Sequence, residues 1–451
     1  MDITIDFKNF NGKKIKPLHG VNNSPIILDK PIESFREAGI PYVRMHDTGG
    51  PYGRNVFVDI PNIFPDFDAD ENDPASYTFE FTDAYFKQIV ASGCKIFYRL
   101  GVTIENNYKI RAYHIYPPKN FAKWARICEY IIRHYTEGWA NGFHYDMEYW
   151  EIWNEPENPP MWQGTKEQFF ELYKVTARHL KKCFPHIKVG GYASCGFYAI
   201  TGAKTSDFYK GFITWAEEFT AMCAKENIPL DFYSWHRYFD DPEILTIESE
   251  YVRNLLDKNG LTATESIFNE WNYCCDKNGC TWDIMKEAEG ASNIAHAMIL
   301  LQHLSVDKAM YYVANPQGAY CGMYYYPSQK VTPTYYVFKA FNRLYSLRNE
   351  LAVDIENSSI AVLGAANDNK SAIMLANSKS EAVKVFFDFK NIPGEISAKI
   401  IDSQHTFEKI EFTENFEMPP YSVLLLETNA ESQNKTLNDV CGYTFAGLDN
   451  D

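Results

Sequence analysis

Residues 150–157 read WEIWNEPE, an apolar and strand-like run that breaks at Asn154-Glu155. Residues 266–272 read SIFNEWN and break in the same way at Asn269-Glu270. A single Glu at a strand end is ordinarily a solvated cap, but two Asn-Glu pairs beside tryptophan form a pattern with its own context. Cleavage of a glycosidic bond requires two carboxyl groups that face one another across the bond. The two runs therefore predict a glycoside-cleaving site that contains Glu155 and Glu270.

A rhythm of strand-like runs and amphipathic stretches occupies the first three quarters of the chain. The runs are 15–21, 42–46, 95–100, 148–153, 188–192, 232–236, 266–269 and 308–313. One of the stretches between them, Lys166 to Cys183, has the three-and-four spacing of a helix face, with Thr165 placed as its N-cap. Eight such units predict an α/β fold, a (β/α)8 TIM barrel over residues 13–346. A doubly wound open sheet would call for a Gly-rich phosphate turn after an early strand, and the sequence has none.

The pattern changes near Leu347, and from there to about Thr428 the strand-like runs are short, alternating and separated by turn residues. They are 360–363, 372–375, 383–387, 398–401, 408–412 and 422–427. This pattern predicts a small β-sandwich of residues 347–429. The N-terminal run, residues 3–7, precedes the first barrel unit and is expected to pair with the sandwich, which then comprises residues 1–12 and 347–429. Residues 430–451 are polar, without periodicity, and form a C-terminal tail.

Composition excludes several classes of partner. The 451-residue chain is 45% hydrophobic and carries a formal net charge of −16, which argues against binding nucleic acid or an anionic membrane. No signal peptide and no membrane-spanning run is visible, so the protein is expected to be cytoplasmic. The oligomeric state stays open, with a homo-oligomer among the options.

The ten cysteines show no framework spacing. Cys274, Cys275 and Cys280 follow Glu270 closely, and Cys321 lies further along the chain. A thiolate cluster could hold zinc, but adjacent cysteines before a four-residue gap do not match paired zinc-ligand spacing. Thiols or one local disulfide are the alternative. The prediction is that the protein needs no metal and no cofactor.

Polar side chains stand at the ends of the predicted barrel strands, where a buried strand would otherwise be apolar. Loops at the carboxyl ends of barrel strands carry the functional residues of this fold. A histidine at one strand end is ordinarily structural, but here two histidines share the predicted rim with both glutamates. The rim residues are Arg44, His46, Asn154, Glu155, His236, Tyr238 and Glu270.

The set of motifs resembles glycoside hydrolase family 39, the family of β-xylosidases and α-L-iduronidases. The segments that carry the likeness are Leu18 to Asn22, Val43 to Asp47, Trp150 to Pro156, Trp162, Gly190 to Tyr192 and Ser234 to Tyr238. The likeness covers residues 13–345, and the predicted sandwich stands in the expected place. It implies a retaining (β/α)8 glycosidase.

The resemblance also implies residue roles. Glu155 would be the general acid/base and Glu270 the nucleophile of a double displacement. The acid needs a raised pKa and the nucleophile a lowered one. Substrate contacts are implied for Asn154 at the sugar 2-OH, for His46 and His236 at other hydroxyls, and for Trp162 and Asn22. Arg44 would keep Glu270 ionised and Tyr238 would hold its carboxylate.

The substrate is expected to be the terminal sugar of an oligosaccharide or glycoside, removed by an exo-acting enzyme. A pentoside such as a β-xyloside follows from the resemblance, although residues 312–318, at the exit of the eighth strand, lack the Trp and acidic residues typical of the family. Bulky aromatics at the predicted rim would wall off the pocket: Tyr108, Tyr113, Tyr116, Trp162, Tyr320, Tyr324, Tyr325 and Tyr326. The alternatives are an α-L-arabinofuranosidase, uronidase or β-glycosidase of the same clan, and a non-catalytic glycan-binding barrel.

Overall fold

The computed structural model describes residues 1–25, 32–46, 58–103, 114–159, 161–274, 282–355 and 360–429. Two of the predicted rim aromatics (Tyr108 and Tyr113), two cysteines (Cys275 and Cys280) and the tail 430–451 lie outside the described residues. Within those ranges, no helix combines the length and the apolar character that crossing a bilayer requires.

The elements are numbered along the chain. The strands are β1 (Asp2–Lys14), β2 (Gly20–Asn22), β3 (Tyr42–Met45), β4 (Lys95–Leu100), β5 (Tyr149–Ile152), β6 (Lys188–Ser194), β7 (Phe232–Phe239), β8 (Glu265–Tyr273), β9 (Lys308–Tyr311), β10 (Tyr324–Tyr325), β11 (Lys330–Val331), β12 (Asn349–Ile355), β13 (Ala361–Ala366), β14 (Lys370–Asn377), β15 (Val383–Lys390), β16 (Ile396–Ile401), β17 (Thr406–Ile410), β18 (Asn415–Met418) and β19 (Ser422–Asn429). The helices are α1 (Ile32–Ala38), α2 (Ile60–Ile63), α3 (Glu80–Ala91), α4 (Phe121–Glu137), α5 (Lys166–Cys183), α6 (Asp207–Lys225), α7 (Ile244–Lys258), α8 (Ala288–His303) and α9 (Pro333–Leu347).

Strands β2 to β9 close a parallel barrel in chain order. The closing contact is between the first and last barrel strands, where Val21 of β2 pairs with Val43 of β3 on one side and Tyr311 of β9 on the other. Each barrel strand falls within or overlaps one of the eight runs predicted from the sequence, and the predicted barrel is confirmed.

Helix α5 shows why the amphipathic stretches fold as they do. The Thr165 hydroxyl accepts a hydrogen bond from the amide of Gln168, and the Gln168 side chain accepts one from the amide of Thr165, forming a capping box. The helix buries one face at three-and-four spacing, with Phe169, Leu172 and Leu180 among its buried residues. The predicted N-cap and both helix boundaries are confirmed.

The barrel interior has an apolar layer of its own, separate from the main core between strands and helices. Five barrel strands contribute to it, with Phe97, Tyr149, Phe232, Ile267 and Met310. The rings of Phe97, Tyr149 and Phe232 lie 5.2–5.6 Å apart. Tyr149 marks this layer as the amino end of the barrel, because its hydroxyl donates to Glu265 at the start of β8. Aromatic packing of this kind stabilises the closed barrel.

The remaining long strands form a second sheet in the order β17-β16-β19-β14-β13-β12-β1-β15-β18. As expected, the N-terminal strand joins it, since β1 pairs antiparallel with β12 and parallel with β15. The sheet has its own apolar core, which includes Ile5, Leu375 and Leu424. The barrel therefore carries an appended β domain, and its division into two facing sandwich layers stays a prediction.

Candidate active site

The parallel strands bring the predicted site residues to one end of the barrel. Each of these side chains lies at, or just beyond, the carboxyl end of its strand: Asn22 of β2, Arg44 and His46 of β3, Asn154 and Glu155 after β5, His236 and Tyr238 of β7, and Glu270 of β8. Most are nearly enclosed, and Glu270 is 7% exposed. The face at which the sequence predicted the site is the face at which these residues meet.

The two glutamates meet at His236. Its Nδ1 lies 2.7 Å from Glu155 Oε1 and 3.6 Å from Glu270 Oε2. One oxygen of each carboxyl group and a ring nitrogen of His236 all lie within 4.8 Å of one another. Carboxyl carbons about 5–5.5 Å apart are typical of retaining glycosidases, against about 6.5–9.5 Å in inverting ones. The close approach of the oxygens fits the shorter separation.

Glu270 is surrounded by donors. The Tyr238 hydroxyl donates to Oε1 at 2.8 Å, and Arg44 Nη1 donates to Oε2 at 3.1 Å. His46 Nε2 lies 3.7 Å from the same Oε2. Burial lowers the pKa of His46 well below its usual range, with the charge of Arg44 adding to the effect, so this imidazole is neutral. The donors orient the Glu270 carboxylate, and Arg44 places a cation beside it.

Arg44 joins the two Asn-Glu segments from below. The guanidinium is fully buried, and its Nη2 donates to Asn154 Oδ1 at 2.6 Å while Nη1 donates to Asn22 Oδ1 at 3.0 Å. Its Nε donates to Glu151 Oε2 at 2.8 Å, and Glu151 Oε1 accepts from Asn269 Nδ2 at 2.5 Å. A charge buried this deeply is tolerated only when it is paired and hydrogen-bonded.

Glu151 and Asn269 were not among the residues predicted for the site. Glu151 is fully buried inside the apolar run 150–153, two residues after Tyr149, whose ring faces into the barrel. Side chains two apart on a strand face the same side, so the sequence could have indicated that Glu151 also faces inward. An acidic residue facing into a barrel requires a partner, and Arg44 is its partner here.

The loop after β5 holds Glu155 in an uncommon backbone conformation. Glu155 has φ 45° and Trp153 has φ 72°, backbone angles that residues other than glycine rarely adopt. The amide of Glu155 donates to the carbonyl of Ala193 at the end of β6. Asn158 Nδ2 donates to Glu155 Oε2 at 3.2 Å. Strained residues of this kind persist only where the surroundings hold them in place, and they cluster at functional sites.

Trp162 and Asn22 are buried and have protein partners. Trp162 is 4% exposed, its ring packs edge-on against Trp153, and its indole N–H donates to the carbonyl of Thr165. Asn22 is fully buried, donates to the carbonyl of Asn269 and accepts from Arg44. The sugar contacts expected for both residues stay predictions.

The predicted aromatic wall is described in part, since Tyr108 and Tyr113 lie outside the described residues. Tyr320 lies beside the site, with its ring 5.1 Å from Tyr238 and 5.7 Å from Tyr312. Tyr324 is buried against Tyr335, and Tyr326 is 63% exposed. A cavity of about 540 Å³ opens next to this wall, lined by Tyr198, Lys204, Arg237, Tyr238, Asp240 and Tyr320 among others. Its volume lies within the range of small-molecule sites.

The two carboxyl groups titrate as a coupled pair. Burial alone would raise the pKa of Glu155, but the hydrogen bond and charge of His236 outweigh it and lower that pKa. Burial raises the pKa of Glu270, with the Glu155 charge adding to it against the opposing charges of His236 and Arg44. These directions are opposite to those expected from the sequence. The reason is the 2.7 Å contact that puts His236 on Glu155, where a sugar hydroxyl was expected to be its partner.

Three side chains of the site are of types that bind metal ions. Glu155, His236 and Glu270 could each offer a ligand atom to one ion, but a cation there would face the Arg44 guanidinium, 3.1 Å from Glu270. Like charges at such a distance repel strongly in a buried site. Another group with metal-binding residue types, Glu129, His179 and Cys183, lies on α4 and α5, and its Glu129 is paired with Arg133.

Comparisons with known proteins agree with this picture. The model of the family described as glycosyl hydrolases family 39 matches residues 33–260. A β-xylosidase of Geobacillus stearothermophilus is 28% identical over 195 residues, 41% of this chain and 35% of that protein. A β-xylosidase of Caldicellulosiruptor saccharolyticus is 24% identical over 289 residues, 58% of this chain and 55% of that protein.

A solved glucosidase structure from Croceicoccus marinus has the same fold, with a TM-score of 0.76 at 21% identity, covering 94% of this chain and 98% of that one. The family match extends over half of the chain and includes the Glu155 segment. The chain belongs to glycosyl hydrolase family 39. It spans 35% and 55% of the lengths of the two β-xylosidases that it matches.

Proposed function

We propose that this protein is a retaining exo-acting glycoside hydrolase that removes a terminal sugar, with β-xylosides as the first substrate class to examine. The observation that carries the proposal is the meeting of Glu155 and Glu270 across His236, with Arg44 and Tyr238 on Glu270 alone. Family membership and the two β-xylosidase relatives support it.

The proposed reaction is a double displacement. Glu270 attacks C1 of the terminal sugar while Glu155 delivers a proton to the departing oxygen, so that a glycosyl ester forms and the alcohol leaves. Glu155, now ionised, takes a proton from water, and the resulting hydroxide displaces Glu270 with overall retention. Tyr238 and Arg44 orient the carboxylate of Glu270 for attack, and their hydrogen bonds stabilise its negative charge again when the glycosyl ester is broken.

Glu155 must carry a proton to act as the acid, and in the empty site the 2.7 Å hydrogen bond with His236 and the charge of that residue lower its pKa against the effect of burial. A sugar that displaces this contact on binding removes the cause of the lowering and moves the pKa of Glu155 in the direction that the acid role requires.

The exo mode rests on fewer residues than the sequence indicated. Tyr320 and Tyr312 form the aromatic side of the site next to Tyr238, and aromatic rings add stacking area at small conformational cost. Trp162 and Tyr324 are buried elsewhere. An endo enzyme would need an open cleft at this position.

A panel of nitrophenyl glycosides tests the proposal. It contains β-xyloside, β-glucoside, α-L-arabinofuranoside and uronides, since the chain also resembles a protein described as a glucosidase in its fold. Proton NMR of the first anomer formed shows whether configuration is retained. Product analysis on a defined oligosaccharide shows whether cleavage is exo or endo. Early release of monosaccharide with retained configuration supports the proposal. Inverted product, or internal fragments first, contradicts it, and binding without turnover of any substrate favours a glycan-binding barrel.

A further inference from the structure

A third acidic side chain is buried directly behind the proposed acid/base. Glu157 follows Glu155 by two residues and is 7% exposed. Its Oε1 accepts hydrogen bonds from Ser194 Oγ at 2.9 Å and from the amide of Cys195 at 2.7 Å. Its Oε2 is buried and has no hydrogen-bond partner among the described residues. A buried carboxyl group with so few partners avoids charge, because an ion there would lose its hydration without replacement.

The same short segment at the end of β6 also holds Glu155 itself. The carbonyl of Ala193 accepts from the amide of Glu155 at 3.0 Å. Asn158, which donates to Glu155 Oε2, also lies 3.6 Å from Cys195 Sγ. Residues 193–195 therefore contact the loop after β5 through its backbone, through Asn158 and through Glu157. The Glu157 contacts are the shortest of those made by side chains of the loop.

The strained backbone of this loop explains why such an attachment is needed. Glu155 has φ 45°, a conformation that an unattached loop would leave for a lower-energy one. Glu270, in contrast, lies within strand β8 and is oriented by Arg44 and Tyr238. No hydrogen bond among the described residues joins Glu157 to Glu270.

We propose that Glu157 is a positioning residue for the acid/base: it clamps the Glu155 loop to the end of β6 through Ser194 and Cys195. The expected effect on glycoside cleavage rests on the proposed function; the attachment of the loop to β6 does not. The clamp acts in the neutral form, since burial raises the pKa of Glu157 to about 8, with the nearby charge of Glu155 adding to the effect of burial. The other titratable groups facing it are the Cys195 thiol and, in the polar pocket behind Ser194, the hydroxyls of Tyr192 and Tyr233.

The proposal predicts a loss that depends on the leaving group. Glycosylation by an activated aryl leaving group needs the nucleophile but little proton donation, whereas a poor leaving group needs a well-placed acid. Loosening the clamp should therefore lower kcat/KM for poor leaving groups and spare good ones. A role limited to general stability would lower both alike.

The kinetic experiment measures kcat/KM for a series of aryl glycosides, from dinitrophenyl to phenyl, of the sugar that the wild type accepts. Glu157→Ala should lose about 100-fold on the phenyl glycoside, the cost of misplacing a catalytic group by ~1 Å, and less than about 3-fold on the dinitrophenyl one, which needs little proton donation. Glu157→Gln keeps an acceptor oxygen of the same shape and should stay within about 3-fold on both. Ser194→Ala, which removes one of the two hydrogen bonds, should show a weaker form of the Ala pattern.

Glu350→Ala is the matched control. Glu350 lies at the start of β12, is 1% exposed and accepts a hydrogen bond from Gln302 of α8. Its substitution by Ala therefore also removes a buried carboxyl group. It should show the same ratio between leaving groups as the wild type. An equal loss on all leaving groups in Glu157→Ala, or a Gln variant as impaired as Ala, overturns the proposal.

Amide hydrogen exchange reads the clamp without any turnover. Exchange at the amide of Glu155 should accelerate in Glu157→Ala and remain slow in Glu157→Gln and Glu350→Ala, because its acceptor, the carbonyl of Ala193, is untouched by the substitution and is lost only when the clamp opens. Unchanged protection in Glu157→Ala overturns the inference even if the protein cleaves no glycoside. A wild type that cleaves none of the panel, with protection lost as expected, overturns the proposed function and leaves the clamp standing.

Discussion

The two ends of the barrel interior are built from the same strands in opposite ways. At the amino end, Phe97, Tyr149 and Phe232 pack ring against ring with Ile267 and Met310. Two residues further along β5 and β8, the inward side chains are Glu151 and Asn269; Glu151 accepts hydrogen bonds from both Arg44 and Asn269. Over two residues of each strand, the barrel interior changes from apolar packing to buried, hydrogen-bonded charge.

This difference separates stability from positioning. An apolar layer tolerates changes of shape at modest cost, because its contacts have no direction. A buried ion pair contributes little net stability but depends on each of its partners, and it fixes the place of side chains around it. The carboxyl end therefore holds Asn154 and Glu270 to defined positions, and the amino end supplies packing. Substitutions at the two ends should be distinguishable by what they change.

The largest effect is expected at the polar end, on activity. Glu270→Ala should lower kcat/KM by at least about 10⁴-fold on every substrate, since all of them need the nucleophile. Its unfolding temperature should not fall, because a buried carboxyl group is removed. Glu155→Ala is the comparison: it should keep glycosylation by activated aryl leaving groups and regain turnover when azide is added. Wild-type rates in both variants would show that the site lies elsewhere.

The second largest effect is a loss of stability on breaking the buried ion pair between Arg44 and Glu151. Arg44→Met leaves Glu151 and Glu270 without their cation and should lower the free energy of unfolding by about 4 kcal/mol. In the double variant with Glu151→Gln, part of this loss should return while activity stays low. Denaturant unfolding of the three proteins measures both effects. A loss below about 1 kcal/mol in Arg44→Met would contradict the idea that this layer depends on charge pairing.

An acid-dependent effect is expected at the amino end, where His19 precedes β2. Burial between Phe341 and Tyr345 lowers the pKa of His19 to about 4, against 6.5 for an exposed histidine. The unfolded chain takes up a proton below pH 6.5 and the folded one does so only near pH 4, so stability is lost as the pH falls through this window.

The expected loss from His19 is up to about 3 kcal/mol between pH 6.5 and pH 4. Unfolding of His19→Gln over the same pH range supplies the reference, since Gln keeps a donor toward the carbonyl of Gly39 and takes up no proton. The free energy of unfolding of the wild type should fall relative to the variant on the acid side. Parallel curves would show that His19 does not titrate as its burial indicates.

The smallest effect is expected inside the apolar layer. Phe97→Leu should cost less than about 1.5 kcal/mol of stability, since it keeps an apolar side chain of similar volume. It should leave kcat and KM unchanged, because β4 contributes none of the side chains on either carboxyl group. A fall in kcat at a temperature well below unfolding would mean that the two layers are coupled, and the separation of roles would have to be abandoned.

The sequence was sufficient for the barrel because periodicity and capping are local. All eight strands, the exact bounds of α5 and its Thr165 cap could be predicted. Strand β12 was missed because it follows α9 directly, and β18 because its four residues carry too short a pattern. Local signals of this kind weaken as an element shortens.

The carboxyl-end residues could be predicted one by one, but their contacts could not. That Arg44 reaches Glu151, and that His236 turns to Glu155, depends on how far each strand is staggered around the barrel. Stagger is a property of the closed sheet and leaves no mark in any single run. For the same reason the directions of the two carboxyl pKa shifts were not foreseen.

The pairing of β1 has a consequence for the order in which the chain can fold. Ile3 pairs with Ile355 and with Phe387, partners that lie more than three quarters of the way along the chain, and the barrel itself closes only when β9 reaches β2. At a synthesis rate of about 5–20 residues per second, the first strand waits on the order of 20–80 seconds before its neighbours leave the ribosome. The apolar side of β1, with Ile3 and Ile5, can therefore be buried in this sheet only after synthesis has passed these partners, however stable the finished sheet is.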